Sequence, residues 1–259
     1  MRAFWFVFCY TMQMDTLAAA TTEHTTLGTE ALVHSFGLCE RTALGPFEEP
    51  LNMISNMLFF MVAIALIRYY RSHPDLRGKW IWDLHVLTGL IMLIGVGSTV
   101  FHTFPSTTTE LMDIIPIVVF IVLFFTSIIV RVGKTGVFQT IVCLLAFTGT
   151  SHFFVTQFPN ALNDSIGYLS SMGALVMIAI YLHMKRRPSS HQFLLAALLG
   201  VISLFFRSVD NSACEVLSTG THFLWHTLNA ALIYVVMKQL IRNVNREARI
   251  ERVQRAKGL

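Results

Sequence analysis

The chain has 259 residues, of which 54% are hydrophobic and 13% charged, with a formal net charge of +4 and a mean hydropathy of +0.60. Soluble domains carry about 25% charged residues, so this composition leaves too little polar surface for a compact soluble ball. It excludes a disordered chain, a nucleic-acid-binding domain and a cytosolic enzyme, and it fits a polytopic membrane protein.

Residues 1–37 form an N-terminal segment. Arg2, a short apolar run over 3–10 and the alanines at 18–20 resemble a signal peptide. The run is too short to span a bilayer, and a flexible start is the alternative. Apolar runs of about 20 residues then predict membrane helices. They fall at 51–69, 81–103, 111–130, 136–155, 165–184, 192–207 and 220–241. Brief connections join them, so residues 38–242 are expected to form one all-α bundle of seven transmembrane helices. Residues 243–259 are polar, basic and helix-prone, as expected of a solvated tail beside anionic lipid. There is no internal repeat, no glycine-rich phosphate loop and no Gly-x-Ser-x-Gly elbow.

Lysine and arginine set the orientation. Arg68, Arg71, Arg77 and Lys79 lie in the first loop, Arg131 and Lys134 in the third, and Lys185, Arg186 and Arg187 in the fifth. With the tail they make 16 of the 19 basic residues; only Arg2, Arg41 and Arg207 fall on the other side. The expected topology is N-terminus out and C-terminus cytoplasmic, in a multi-pass integral membrane protein. The expected membrane is a bacterial inner membrane, or an ER- or Golgi-type membrane in a eukaryote.

Ionisable groups in hydrocarbon are costly and mark function. The second predicted span holds Ser98 and His102, the third opens with Asp113, and the seventh opens with His222 and His226. Ser98–His102 and His222–His226 are each i, i+4 pairs, so each pair shares one helix face. His102, Asp113 and His222 sit near the outer ends of their helices, with Ser98 and His226 about 6 Å deeper by helical rise. All five therefore lie at matching depth in the outer half of the bilayer. Three convergent imidazoles with an open fourth position are the ligand set of a catalytic zinc, which makes water nucleophilic near neutral pH. Asp113 suits proton handling, and Ser98 suits donation to an oxyanion. The bland alternative is a hydrogen-bonded polar cluster tying three helices together. Asn229 reads as helix–helix glue, and His152 as an interfacial histidine. Phe101, Phe104, Phe223 and Trp225 flank the histidines and are candidates to line a lipid pocket open to the outer leaflet.

The cysteines are Cys9, Cys39, Cys143 and Cys214, with no Cys-x-x-Cys. Cys39 precedes the first span and Cys214 the seventh, both on the oxidising side, so a disulfide is expected between them. Two unpaired thiols are the alternative. Cys9 and Cys143 are expected to stay reduced.

Ser98-x-x-x-His102, Asp113 eleven residues on, and His222-x-x-x-His226 in the last helix resemble the alkaline ceramidase family, within a wider superfamily of seven-helix membrane hydrolases. Cys39-Glu40-Arg41 and Glu49-Pro50-Leu51-Asn52 are similar to patterns in compact bacterial-type ceramidase-domain proteins. The resemblance covers residues 38 to about 241. It implies a zinc amidase that cleaves ceramide-like N-acyl lipids into a long-chain base and a fatty acid. It further implies zinc on His102, His222 and His226, with Asp113 and Ser98 as catalytic groups. Eukaryotic relatives also carry calcium near the N-terminal segment, where Glu40 and Glu49 would be the counterparts. Phe36, Gly37 and Leu38 replace the carboxylate those relatives carry just before Cys-Glu. A hard cation needs several oxygen ligands, so calcium is doubtful. The progestin and adipoQ receptor group shares the histidines but is expected in the opposite orientation.

Three functions follow for comparison. The first is a lipid amide hydrolase taking its substrate from the outer leaflet. The second is a lipid-sensing receptor with a structural zinc. The third is a lipid esterase on the same scaffold. No nucleic-acid partner is expected, and the sequence leaves the oligomeric state open.

Overall fold

The computed structural model describes residues 38–43 and 45–258. The signal-like segment expected over 1–37, with Cys9, lies outside them. Among the described residues the structure is helical, without strands. The helices are α1 (Pro50–Ser55), α2 (Met57–Arg71), α3 (Trp82–Thr103), α4 (Thr107–Arg131), α5 (Val137–Gln157), α6 (Leu169–Met184), α7 (Ser190–Ser208), the single turn α8 (Asp210–Ala213) and α9 (His222–Ala256). They match the predicted apolar runs to within a few residues. The exception is the last, which runs on through the basic tail.

Local chemistry sets several boundaries. Pro50 opens α1 at a position where its missing N–H costs nothing. Ser106 caps α4 by accepting from the Thr109 amide, and Thr109 returns a side-chain contact to the Ser106 amide. Gly136 precedes α5, and Lys134 takes a left-handed conformation in the turn before it. Among the described residues, six helical segments, from α1–α2 through α7, are long and apolar enough to cross a membrane. The first turns of α9 carry His222, His226 and Asn229, which dilute its apolar character.

The long helices form a closed ring in chain order. Each packs on its sequence neighbour from α2 to α7, α7 packs on α9, and α9 returns to pack on α2. In lipid, helices gain little from hydrophobic burial against one another, so close approach of small residues drives association. Ala63, Ala196, Ala197 and Ala230 are accordingly buried at these seams, and Gly200 lies against Met172. Leu66, Leu87, Ile91, Phe193 and Met237 fill the core. Large apolar side chains such as Leu93, Leu145, Met177, Leu198 and Phe205 point outward. That pattern suits a hydrocarbon surround and would be ruinous in water.

One end of the bundle gathers most of the charge. Arg131 forks onto Asp83 at 2.7 and 2.6 Å, and Asp83 is buried in this pair. The tail end of α9 is tied to the first and third loops by Lys79–Glu251 (2.6 Å), Lys134–Glu247 (2.7 Å) and Arg252–Asp75 (2.9 Å). The Lys79 ammonium holds the Glu251 carboxyl below its ordinary range. At the opposite end a disulfide joins Cys39 to Cys214, with 5.4 Å between their Cα atoms. Cys143 is free and exposed on α5.

Candidate metal centre

The end of the ring that carries the disulfide also holds the three histidines singled out by spacing. His102 ends α3, while His222 and His226 open α9 one turn apart. All three are buried, and a ligand atom from each lies within 4.8 Å of the others. Their ring centroids are 4.8–5.3 Å apart. The Nε2 atoms of His102 and His226 face each other at 3.3 Å.

The remaining ring nitrogens fix which atoms point inward. His102 Nδ1 lies 2.5 Å from a carboxylate oxygen of Glu49. Burial pushes the Glu49 carboxyl up. The hydrogen bonds from His102, Asn52 and Arg41 outweigh it and hold the group below its ordinary range. An ionised carboxylate only accepts, so His102 Nδ1 donates. His226 Nδ1 lies 3.2 Å from the Asn52 carbonyl oxygen and 2.9 Å from the Ser55 hydroxyl. A carbonyl also only accepts, so this Nδ1 carries its proton too. Both Nε2 atoms therefore present lone pairs to the same small space. Two acceptors at 3.3 Å repel unless a cation lies between them, and the three buried histidines can hold a metal ion there.

The segment before α1 is built around these rings. Arg41 is buried, with Nε 2.6 Å from Glu49, one Nη on the Gly45 carbonyl at 3.1 Å and the other on the His102 carbonyl at 2.9 Å. Glu40 accepts from the amides of Leu51 and Asn52 at 2.7 and 2.9 Å. Its carboxyl is nonetheless raised by burial. The two residues weighed as calcium counterparts are thus engaged by protein donors, Glu40 at a helix N-terminus and Glu49 between Arg41, Asn52 and His102.

The start of α9 has its own clasp. Asp210 is fully buried and accepts from the amides of Cys39 (3.1 Å), Thr221 (2.6 Å) and His222 (2.9 Å). Gly220 sits in the left-handed region at φ +60°, and a side chain there would overlap Asp210. The disulfide lies beside it, since Cys39 touches the same glycine. Arg207 bonds Ser165, stacks 5.4 Å over the Trp225 ring and places Nη1 3.4 Å from His222 Nδ1. It is a permanent cation beside the imidazoles.

Ser98 and Asp113 reach the same place from α3 and α4. The two residues line one cavity with His226 and Trp225. Their closeness has a backbone cause. Pro116 has no N–H to give the Met112 carbonyl, and that carbonyl lies against Gly97, where any Cβ would overlap it. A glycine beside Ser98 thus lets α3 and α4 touch at the level of Asp113. The cavity continues along the bundle between apolar walls that include Phe120, Ile121 and Leu232, and reaches Phe125 and Val236. Of the four aromatic residues expected to line a pocket, Trp225 lines this cavity; Phe101, Phe104 and Phe223 lie outside its lining. His152 is exposed on α5.

Spacing and depth in the sequence find the five residues that the structure gathers. They do not find Glu49 as the partner of His102, Ser55 as the partner of His226, or Asp210 and Arg207. For Glu49 and Asp210 the sequence signal available was charge immediately outside the apolar runs, on the side with few lysines and arginines.

Comparison with known protein families matches residues 45–255 to the ceramidase family. The chain belongs to that family. Membership implies an amidohydrolase of the ceramide-hydrolase type, associated with the membrane and acting on lipid.

Proposed function

We propose that this protein is a zinc-dependent amidase. It hydrolyses the amide of ceramide-like N-acyl lipids to a long-chain base and a fatty acid. The observation that carries the reading is the pair of inward-facing Nε2 atoms at 3.3 Å. Nitrogen ligands about 2.0–2.1 Å from a tetrahedral zinc lie about 3.3 Å from one another. The partners on the outer side of each ring, Glu49 for His102 and the Asn52 carbonyl for His226, also fit, because metal-bound imidazoles donate their other N–H to such groups. His102, His222 and His226 would hold the ion. Bound there, zinc supplies Lewis acidity that makes water nucleophilic at neutral pH.

The chain's own residues do the rest. Asp113 accepts a proton from the attacking water and delivers it to the departing amine nitrogen. Ser98 donates to the oxyanion that develops on the amide carbonyl, and holds Asp113 in place before attack. The apolar walls keep lipid tails in and water out. Seven spans, with α9 the last, and an outward N-terminus put the histidines near the extracytoplasmic face. The sixteen basic residues of the loops and tail then lie in the cytoplasm. The substrate arrives laterally from the outer leaflet.

The test is metal analysis of the detergent-purified protein combined with product mass spectrometry on a panel of N-acyl and O-acyl lipids. One zinc per chain and chelator-sensitive release of fatty acid from amides are expected. Full zinc occupancy in a His102→Ala, His222→Ala double variant would sink the metal assignment. Cleavage of esters alone would sink the amidase.

A further inference from the structure

We infer that the cavity takes one chain of the lipid lengthwise, and that Asn229 recognises a hydroxyl on that chain two or three atoms from the scissile carbonyl carbon. The inference rests on the amidase reading for the position of the carbonyl, and on the cavity for everything else.

The cavity is long and narrow rather than round. On α4 its lining runs from Asp113 to Phe125, and on α9 from Trp225 to Val236. At 1.5 Å of rise per residue these spans are about 16–18 Å. An extended alkyl chain advances about 1.3 Å per carbon for bonds of about 1.5 Å. The cavity therefore matches a single chain of roughly a dozen carbons lying along the bundle axis, with its polar end at the histidines.

Almost all of the wall below the histidines is apolar, and Asn229 is the departure. It lies three residues after His226, on the same face of α9, and it lines the cavity. Among the described residues no hydrogen bond reaches its side-chain amide, so it does not act as glue between helices. Ser171 of α6 lines the same cavity, and its hydroxyl is likewise without a hydrogen bond among the described residues. A carboxamide facing an apolar cavity without a partner is costly. A hydroxyl on the ligand removes that cost, and an unhydroxylated chain does not. This asymmetry is how a buried polar group rejects an analogue that lacks its partner.

Depth gives the position of the hydroxyl. Asn229 is about 4.5 Å further along the axis than His226. From a carbonyl carbon at the level of the imidazoles, two or three bonds cover about 2.6–3.9 Å, and the hydroxyl and the carboxamide each reach about an ångström further. Two sources carry a hydroxyl there: a long-chain base bearing one next to its amine-substituted carbon, and a 3-hydroxyacyl group. The first would put the base in the cavity, the second the acid.

The experiment uses the full-length, metal-loaded protein in detergent with two matched pairs of amides. One pair differs only in the base hydroxyl and the other only in the 3-hydroxyl of the acyl chain. The wild type should prefer the hydroxylated member of one pair by about tenfold or more in kcat/KM, and that pair identifies the chain in the cavity. In Asn229→Leu, and in Asn229→Ala as a second variant that keeps the space open, the ratio should fall to within about twofold of unity. Thermal stabilisation by the free hydroxylated chains and their deoxy counterparts is measured in parallel and needs no turnover. Hydroxyl-dependent stabilisation that Asn229→Leu abolishes, with no amide cleaved, would uphold the cavity assignment and sink the amidase. No preference within either pair, or a preference that survives both variants, would overturn the role of Asn229.

Discussion

A carboxylate oxygen of Glu49, at the threshold of the first helix, lies 2.5 Å from Nδ1 of His102, at the end of α3. The contact joins a residue outside the apolar runs to a histidine within them. It aims His102 Nε2 at His226 and keeps the ring from rotating away. Glu49 is itself held by Arg41, whose other arm grips the His102 carbonyl, so ring and backbone of one residue are fixed by a single ion pair.

Glu49→Gln should weaken zinc binding by about 10–100-fold, the usual cost of losing the charged partner of a ligating histidine. Competition with a chelator of known affinity measures it. An unchanged affinity would show that the carboxylate only packs.

Asp113→Asn should keep full metal content and lose most turnover, because an amide cannot carry the proton. Ser98→Ala should cost about 2.7–4 kcal/mol in transition-state stabilisation if the hydroxyl is an oxyanion donor. The checks are kcat across pH and metal stoichiometry on the same samples. Near wild-type rates in Asp113→Asn would place the base elsewhere.

Gly97→Ala should separate α3 from α4, because the new methyl overlaps the Met112 carbonyl. Overpacking of this kind costs about 1–3 kcal/mol. The expected signature is a lowered Tm together with a loss of turnover greater than the loss of zinc, since none of the three histidines is on α4. Wild-type kcat in this variant would mean that the close approach of α3 and α4 beside Ser98 and Asp113 is dispensable.

Denatured without reductant, the protein should titrate two of its four cysteines, Cys9 and Cys143. After reduction it should titrate all four. Four free thiols in the unreduced sample would remove the bridge between Cys39 and Cys214.

The helices and the five clustered site residues were legible because their signals are local. An apolar run of about 20 residues is a span whatever it packs against, and i, i+4 spacing at a helix end reports both face and depth. The supporting residues were not legible for the opposite reason. Glu49 and His102 are 53 residues apart, and nothing in either local sequence names the other. Asp210 reads as an ordinary loop acid until the fold brings the amides of Cys39, Thr221 and His222 to it. Gly97 and Pro116 are an unusual pair in the sequence, a glycine beside the serine and a proline one turn past the aspartate. Their joint effect depends on which carbonyl faces which helix. In the sequence Asn229 reads as glue, because a polar residue in a span usually finds a neighbouring helix; the fold places it on the cavity wall instead.

The ring closes only when α9 packs on both α7 and α2, and α9 brings two of the three histidines. A nascent chain that has emerged only as far as α7 holds His102 and its Glu49 partner but neither His222 nor His226. It therefore stays inert towards the lipid in which it is being inserted. Under the proposed amidase function, activity begins only with the final insertion event. A truncated product of interrupted synthesis has no partial hydrolase with which to damage its own membrane.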